Sequence, residues 1–168
     1  MELGGILADS NGQITGSRTL KVIVQNVQKQ TGLAGRLVDL YKPDVLLAQE
    51  VNLPSEPEGL FGATHTSRMG YGTAIYCQNG AVNIKRVASP HAEIGGLIRK
   101  KTTVADCMGV QFVTFHGYNG QPFKNASKLV DHVRAVALQL APSSPVLFAG
   151  DFNTWTPDHL EAVKVSEF

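Results

Sequence analysis

Residues 145–155 read PVLFAGDFNTW. The apolar run Val146 to Ala149 ends in Gly150-Asp151-Phe152-Asn153. A short apolar run flanked by Pro and Gly predicts a buried strand, here Pro145–Ala149. A packed core has no use for an Asp and an Asn at the end of such a strand. The same design recurs upstream. The β-branched run Leu20–Gln25 (LKVIVQ) ends at Asn26, the run Val45–Ala48 ends at Gln49-Glu50, and the run Val110–Phe115 ends at His116. In α/β sheets ligands bind outside the carboxyl ends of the strands, so four strands each deliver a polar residue to the place where a site is built.

Between these strands the periodicity changes. Leu33, Leu37, Leu40 and Tyr41 recur at helical spacing until Pro43, which predicts a helix and makes Leu20–Ala48 a short βαβ unit with parallel strands. Ala126, Leu129, Val130, Val133, Ala137 and Leu140 mark a second amphipathic helix, ended by Pro142. The middle of the chain reads as antiparallel. Strands are expected over Gly72–Cys77, Ala81–Val87, Ile94–Val104 and Val110–Phe115, with turns at Asn79-Gly80 and Asp106–Gly109 and a loop over Asn52–Gly62. Thr156-Pro157 caps a last helix. Residues 1–19 are Gly-rich and aperiodic, a loose arm or an edge hairpin, and the domain proper is taken as 20–168. The mixture predicts an α/β sandwich with helices packed on sheets.

Composition bounds the rest. A length of 168 residues fits one domain. With 43% hydrophobic and only 17% charged residues, disorder is excluded as the main state. The net charge of +1 gives no strong pull toward nucleic acid or an anionic membrane. No apolar run is long enough for a transmembrane helix, and Met1–Thr19 lacks the features of a signal peptide, so a cytoplasmic protein is expected. Cys77 and Cys107 sit in strand-like surroundings and read as buried free thiols.

Each polar strand end has an ordinary reading by itself. Glu50 would cap a loop or face water, Asn26 would serve a turn, His116 would be a hydrogen-bonded structural residue, and Asp151 would close an Asx turn. Together, two carboxylates, two amides and an imidazole suit a hard cation and a phosphate group. Mg²⁺ needs only one or two carboxylates and keeps waters for substrate phosphate. Asn26 and Glu50 belong to one βαβ unit, and His116 and Asp151 flank the second helix. Pattern alone leaves open whether the two pairs meet.

The chain resembles the endonuclease/exonuclease/phosphatase superfamily over about residues 20–165. The resemblance is carried by VIVQNVQ at 22–28, DVLLAQEVN at 44–52, GYGTAIY at 70–76, VTFHGYNG at 113–120 and PVLFAGDFNTW at 145–155, in that order. It implies a four-layer α/β sandwich of DNase I type with mixed sheets, and hydrolysis of a phosphate ester with Mg²⁺ or Mn²⁺. It also assigns roles. Glu50 and Asn26 bind metal, Asn26 also helps place phosphate, Asp151 orients the attacking water, Asn153 stabilises the transition state, and His116 contacts the scissile phosphate or supports the leaving group. The substrate class stays open among nucleic acid, phospholipid and inositol phosphate. The alternative is a non-catalytic module that binds metal or phosphate without turnover.

Members of that family carry further strands and a late Ser-Asp-His motif after GDFN. Asp158-His159 does not match it, because it falls in the first turn of the expected last helix. A C-terminally truncated domain is therefore expected, with weak or absent activity in this chain. Its exposed sheet would be covered by a second copy in a homo-oligomer or by residues 1–19. Arg99-Lys100-Lys101 and Lys85-Arg86 form two basic stretches, read either as a rim that tracks phosphates or as solvated sheet edges. Trp155 reads as packing behind the site or as a stacking platform. Tyr71 and Tyr118, in loops at the matched motifs, read either as flanking the substrate or as core or surface residues.

Overall fold

The computed structural model describes residues 2–8, 14–52, 59–64, 71–93, 95–119, 126–154, 157 and 161; of 2–8, 14–18, 63 and 64 the backbone alone. The elements are β1 (Glu2–Ala8), β2 (Ile14–Asn26), α1 (Leu33–Tyr41), β3 (Val45–Val51), β4 (Leu60–Thr64), β5 (Gly72–Cys77), β6 (Val82–Ala88), β7 (Lys101–Cys107), β8 (Val110–His116), α2 (Ala126–Ala137) and β9 (Val146–Asp151). They form a five-stranded sheet, β1-β2-β3-β5-β4, and a four-stranded sheet, β6-β7-β8-β9. Each sheet holds one parallel pair, β2 with β3 and β8 with β9, among antiparallel neighbours.

The period-two alternation of the strands builds the layers. Val22, Val45 and Leu47 face the second sheet and meet Ala105, Cys107 and Phe112 there. Their sequence neighbours Leu46 and Ala48 face the other way, against Ala34, Leu37 and Val38 of α1. On the far side of the second sheet, Leu129, Val133 and Val136 of α2 pack on Val104, Val113 and Phe115. The order is helix, sheet, sheet, helix: a mixed α/β sandwich of four layers, as the resemblance implies. Cys77 and Cys107 are buried and unbridged in the central layer, as expected.

The inter-sheet layer turns polar toward the carboxyl ends of β3 and β8. Gln49 Nε2 donates to Thr114 Oγ1 at 2.9 Å, and Thr114 Oγ1 donates to the Ala48 carbonyl at 3.1 Å. Beside them the hydroxyls of Thr73 and Thr103 lie 3.0 Å apart. These buried contacts fix how one sheet sits on the other.

Of the two readings of residues 1–19, the edge hairpin is the one formed: β1 pairs antiparallel with β2, which begins at Ile14 rather than Leu20. Three local expectations are corrected. The expected loop over 52–62 ends in edge strand β4, whose sequence LFGAT has an interior Gly and a β-branched residue only at its end, so it gives little strand signal. The turn at Asn79-Gly80 does not close a hairpin; it carries the chain from β5 in one sheet to β6 in the other. The expected strand over 94–104 starts only at Lys101. Ahead of it Gly95 and Gly96 take φ of 62° and 92°, and Glu93 bridges back to Ile98 in a tight turn. Of the expected last helix, Pro157 and Glu161 are helical; Trp155, Thr156, Asp158 and His159 lie outside the described residues. Among the described residues, no helix is long and apolar enough to cross a membrane.

Candidate functional site

The two parallel pairs aim their carboxyl ends at the same edge of the sandwich. In the first, Asn26 stands opposite Gln49. Glu50, the next residue, is skipped in the pairing of β3 with β5, where Gln49 faces Thr73 and Val51 faces Gly72. This β-bulge gives Glu50 a left-handed φ of 55°. A bulge re-aims one side chain without breaking the strand: Gln49 goes into the inter-sheet layer and Glu50 goes to the edge. In the second pair, His116 stands opposite Asp151.

The pairs meet. Asn26 Nδ2 donates to Asp151 Oδ2 at 2.9 Å and lies 3.4 Å from Glu50 Oε1. One amide nitrogen thus serves two carboxylates from different sheets. Its orientation is set by its own oxygen, since Asn26 Oδ1 accepts the Gln28 N–H at 2.9 Å. His116 Nε2 is 3.8 Å from Glu50 Oε1, and the ring is buried. Asp151 Oδ1 accepts the Asn153 N–H at 3.0 Å, an Asx turn that leaves Oδ2 for Asn26. Asn153, at φ 52°, donates Nδ2 to the Gly117 carbonyl at 3.0 Å. An amide NH₂ has two donors, and the Gly117 bond uses one of them. All five residues expected from the sequence, Asn26, Glu50, His116, Asp151 and Asn153, converge on one edge.

Three further residues join them: Tyr71, which the sequence offered as a substrate-flanking residue, Lys100, from a basic stretch, and Glu93, which no sequence signal marked. Lys100 is buried, with Nζ 2.7 Å from His116 Nε2. Burial lowers its pKa, while Glu93, Glu50 and Asp151 work against that shift. Glu93 is also buried and accepts the Asn119 N–H at 2.6 Å. Tyr71 is buried under the Lys29 ammonium, 4.5 Å from its ring centre; burial, with the Glu50 and Glu93 charges, raises its phenol pKa. A Lys-rich stretch before a strand gives no hint of which lysine turns inward. Only the alternation of Arg99 and Lys101 outward with Lys100 inward carries that signal.

In the basic stretches, Arg99 Nη1 donates to the Ser89 and Pro90 carbonyls, Arg86 Nε to the Gly62 carbonyl, and Lys85 Nζ to the Gln139 carbonyl. These cations tie loops and sheets together.

The Glu50 and Asp151 carboxylates stand on one edge and supply the oxygens that a hard divalent cation accepts. Asn26 turns its NH₂ to the two carboxylates and its oxygen to the Gln28 N–H. Among the described residues, no group of three or more His, Cys, Asp and Glu is arranged to hold a metal ion.

The sequence profile of the Endonuclease/Exonuclease/phosphatase family matches residues 23–161. Comparison with curated protein sequences finds no match. Among solved structures, humanized D. rerio TDP2 superposes with a TM-score of 0.58 at 20% identity, covering 86% of this chain and 70% of that one. The human Nocturnin catalytic domain with bound sulfate superposes at 0.57 and 15% identity, covering 99% and 73%. A Bacteroides thetaiotaomicron mannosyl-6-phosphatase superposes at 0.55 and 14% identity, covering 86% and 68%. The chain therefore spans roughly seven tenths of the length of these structures, and the likeness is one of fold.

Proposed function

The chain belongs to the endonuclease/exonuclease/phosphatase family, and from that premise we propose that it hydrolyses a phosphate ester with the help of Mg²⁺ or Mn²⁺. Phosphoester hydrolysis is the general chemistry of a family of nucleases and phosphatases. The observation that supports the finer reading is the sharing of Asn26 Nδ2 between Glu50 and Asp151.

Glu50, with Asn26 beside it, would hold the cation, which when bound supplies Lewis-acid polarisation of the phosphoryl oxygen. Asp151 keeps one oxygen in the Asx turn and presents the other toward the site; that oxygen accepts a hydrogen bond from the attacking water and orients it. Asn153, fixed through Gly117, offers an amide N–H to the charge that grows on the phosphoryl oxygens. His116 lines the site beside Glu50.

The mannosyl-6-phosphatase carries phosphate-sugar chemistry on a similar fold. A net charge of +1 and basic side chains engaged with backbone carbonyls favour a small phosphate ester over a long polyanion for this chain.

The test is hydrolysis of bis(p-nitrophenyl) phosphate and p-nitrophenyl phosphate with Mn²⁺, Mg²⁺ or chelator. The expected result is weak turnover that needs the cation and falls to background in Glu50→Gln and Asp151→Asn. Cation binding without turnover of either ester would replace the hydrolase by a binding module. Turnover unchanged in Glu50→Gln would remove the site altogether.

A further inference from the structure

The loop that leaves β2 is strained. Gln28 and Lys29 take φ of 51° and 62°, two successive non-glycine residues in the left-handed region. Such a backbone persists where its surroundings hold it, and it gathers at ligand sites. Here the holding groups belong to the site. The Val27 N–H donates to the Gln49 carbonyl at 2.9 Å, the Gln28 N–H to Asn26 Oδ1 at 2.9 Å and the Lys29 N–H to the Glu50 carbonyl at 3.0 Å. The backbone of Lys29 is thereby tied to the bulge that aims Glu50.

The Lys29 side chain is exposed, and its Nζ lies over the Tyr71 ring, 4.5 Å from the centre. Among the described residues, no carboxylate or carbonyl takes its donors. In this it differs from Lys85, Arg86 and Arg99, which are engaged with carbonyls. Tyr71 stands in the field of Glu50 and Glu93, and the Lys29 charge reaches Lys100, so the ammonium belongs to the same edge. An aromatic face holds an ammonium without consuming its N–H groups. Part of the cost of ordering a long side chain is therefore met before a ligand arrives, and three donors remain.

Asp151 and Asn153, which the proposed function sets at the phosphoryl group, line an open cleft of about 390 Å³ on the second sheet. Lys29 follows β2 and Tyr71 precedes β5, both of the first sheet, at the other end of the Asn26–Asp151 bond. A substrate that reaches from the cleft over the first sheet meets Lys29.

We infer that Lys29, seated on Tyr71, is a specificity-determining residue that binds a second phosphate of the substrate. The preferred substrate is then a small phosphate ester that carries a further phosphate group. The inference rests on the proposed function for the first phosphate. The carboxylates Glu50, Asp151 and Glu93 repel a second anion at this edge, and an exposed ammonium with its donors unspent offsets that repulsion through charge-assisted hydrogen bonds.

The experiment uses the full chain in excess Mg²⁺ and needs no turnover. The probes are phosphonates, whose C–P bonds resist hydrolysis: methylphosphonate, with one anionic group, and the terminal bisphosphonates of methane, ethane and propane, with two at increasing separation. Calorimetric titration is expected to show at least one bisphosphonate bound about ten- to a hundredfold more tightly than methylphosphonate, the worth of a hydrogen bond to a charged group. Lys29→Gln should erase that preference and leave methylphosphonate affinity within about twofold of the native chain. Lys29→Arg should keep it, since a guanidinium retains the charge and stacks on Tyr71.

Equal affinity of the native chain for all four probes, a preference that survives in Lys29→Gln, or no phosphonate binding at millimolar concentration would each overturn the inference. A Lys29-dependent preference in a chain that hydrolyses neither nitrophenyl ester would sink the hydrolase reading and leave this one standing. Cation-dependent hydrolysis lost in Glu50→Gln, with the bisphosphonate preference untouched by Lys29→Gln, would do the reverse.

Discussion

Asn26 Nδ2 and Asp151 Oδ2 are joined at 2.9 Å across the boundary between the two sheets, although 125 residues separate them in the chain. The bond therefore belongs both to the site and to the docking of the sheets. Removing the donor in Asn26→Ala leaves Asp151 and Glu50 facing each other without an intermediary. A loss of about 1–3 kcal/mol in urea denaturation is expected, the cost of stripping a partly buried carboxylate of its partner, together with loss of ester hydrolysis. Asn26→Asp should be worse than Asn26→Ala, because a third carboxylate joins two. Equal stability of all three proteins would show that the bond does not form in solution.

The bulge at Glu50 separates backbone from side chain. A non-glycine residue at φ 55° carries local strain of about 1–3 kcal/mol. Glu50→Gly should keep or slightly raise the melting temperature while abolishing cation-dependent hydrolysis. Glu50→Val should lose both, since a β-branched residue resists the left-handed conformation. Calorimetry on the two variants reads the strain directly. A less stable Glu50→Gly would mean that the carboxylate holds the edge together.

Gly150 marks the closest approach of β9 to β8. At φ 146°, a Cβ added there would collide with the Phe115 carbonyl oxygen and sit 2.8 Å from the Phe115 nitrogen. Gly150→Ala should cost more than about 3 kcal/mol, in the range of severe overpacking. Gly80, at φ 81°, has open space where its Cβ would stand. Gly80→Ala should cost only the left-handed penalty of about 1–2 kcal/mol. Comparing the two urea midpoints tests the β8–β9 contact against simple backbone preference.

The buried thiols give a pH prediction. Burial, together with a hydrogen bond to Cys77, pushes the Cys107 thiol well above its ordinary pKa of 9.0. A group whose folded pKa is raised binds more protons in the folded state at alkaline pH, so its contribution is whole below pH 9 and is lost as the pH climbs above that value. Stability should fall above pH 9, and Cys107→Ser should blunt the fall. Ellman's reagent should react with the native chain far more slowly than with the unfolded one. Rapid labelling at neutral pH would contradict the packing of the central layer.

How much of this was readable in the chain follows from what each signal encodes. The parallel units were legible because β-branched runs and a 3.6-residue period are local. Asn26, Glu50, His116, Asp151 and Asn153 stood out because polar residues ended apolar strands, and they all reached one edge. The crossing at Asn79-Gly80 was not legible, since a turn dipeptide fixes the backbone locally and says nothing about which sheet the next strand joins. Strand β4 was hidden by its interior Gly and its shortness. Lys100 was hidden by its basic neighbours, and the fold alone brings its Nζ to 2.7 Å from His116 Nε2.

Among the described residues, every strand of the first sheet comes from residues before Gln78 and every strand of the second from residues after Gly80. Asn26 and Glu50 are thus encoded in one half of the gene, and His116, Asp151 and Asn153 in the other. Neither half holds a working site. Two fragments divided in that exposed turn are expected to regain phosphate binding only on mixing, which makes the site a reporter of its own assembly.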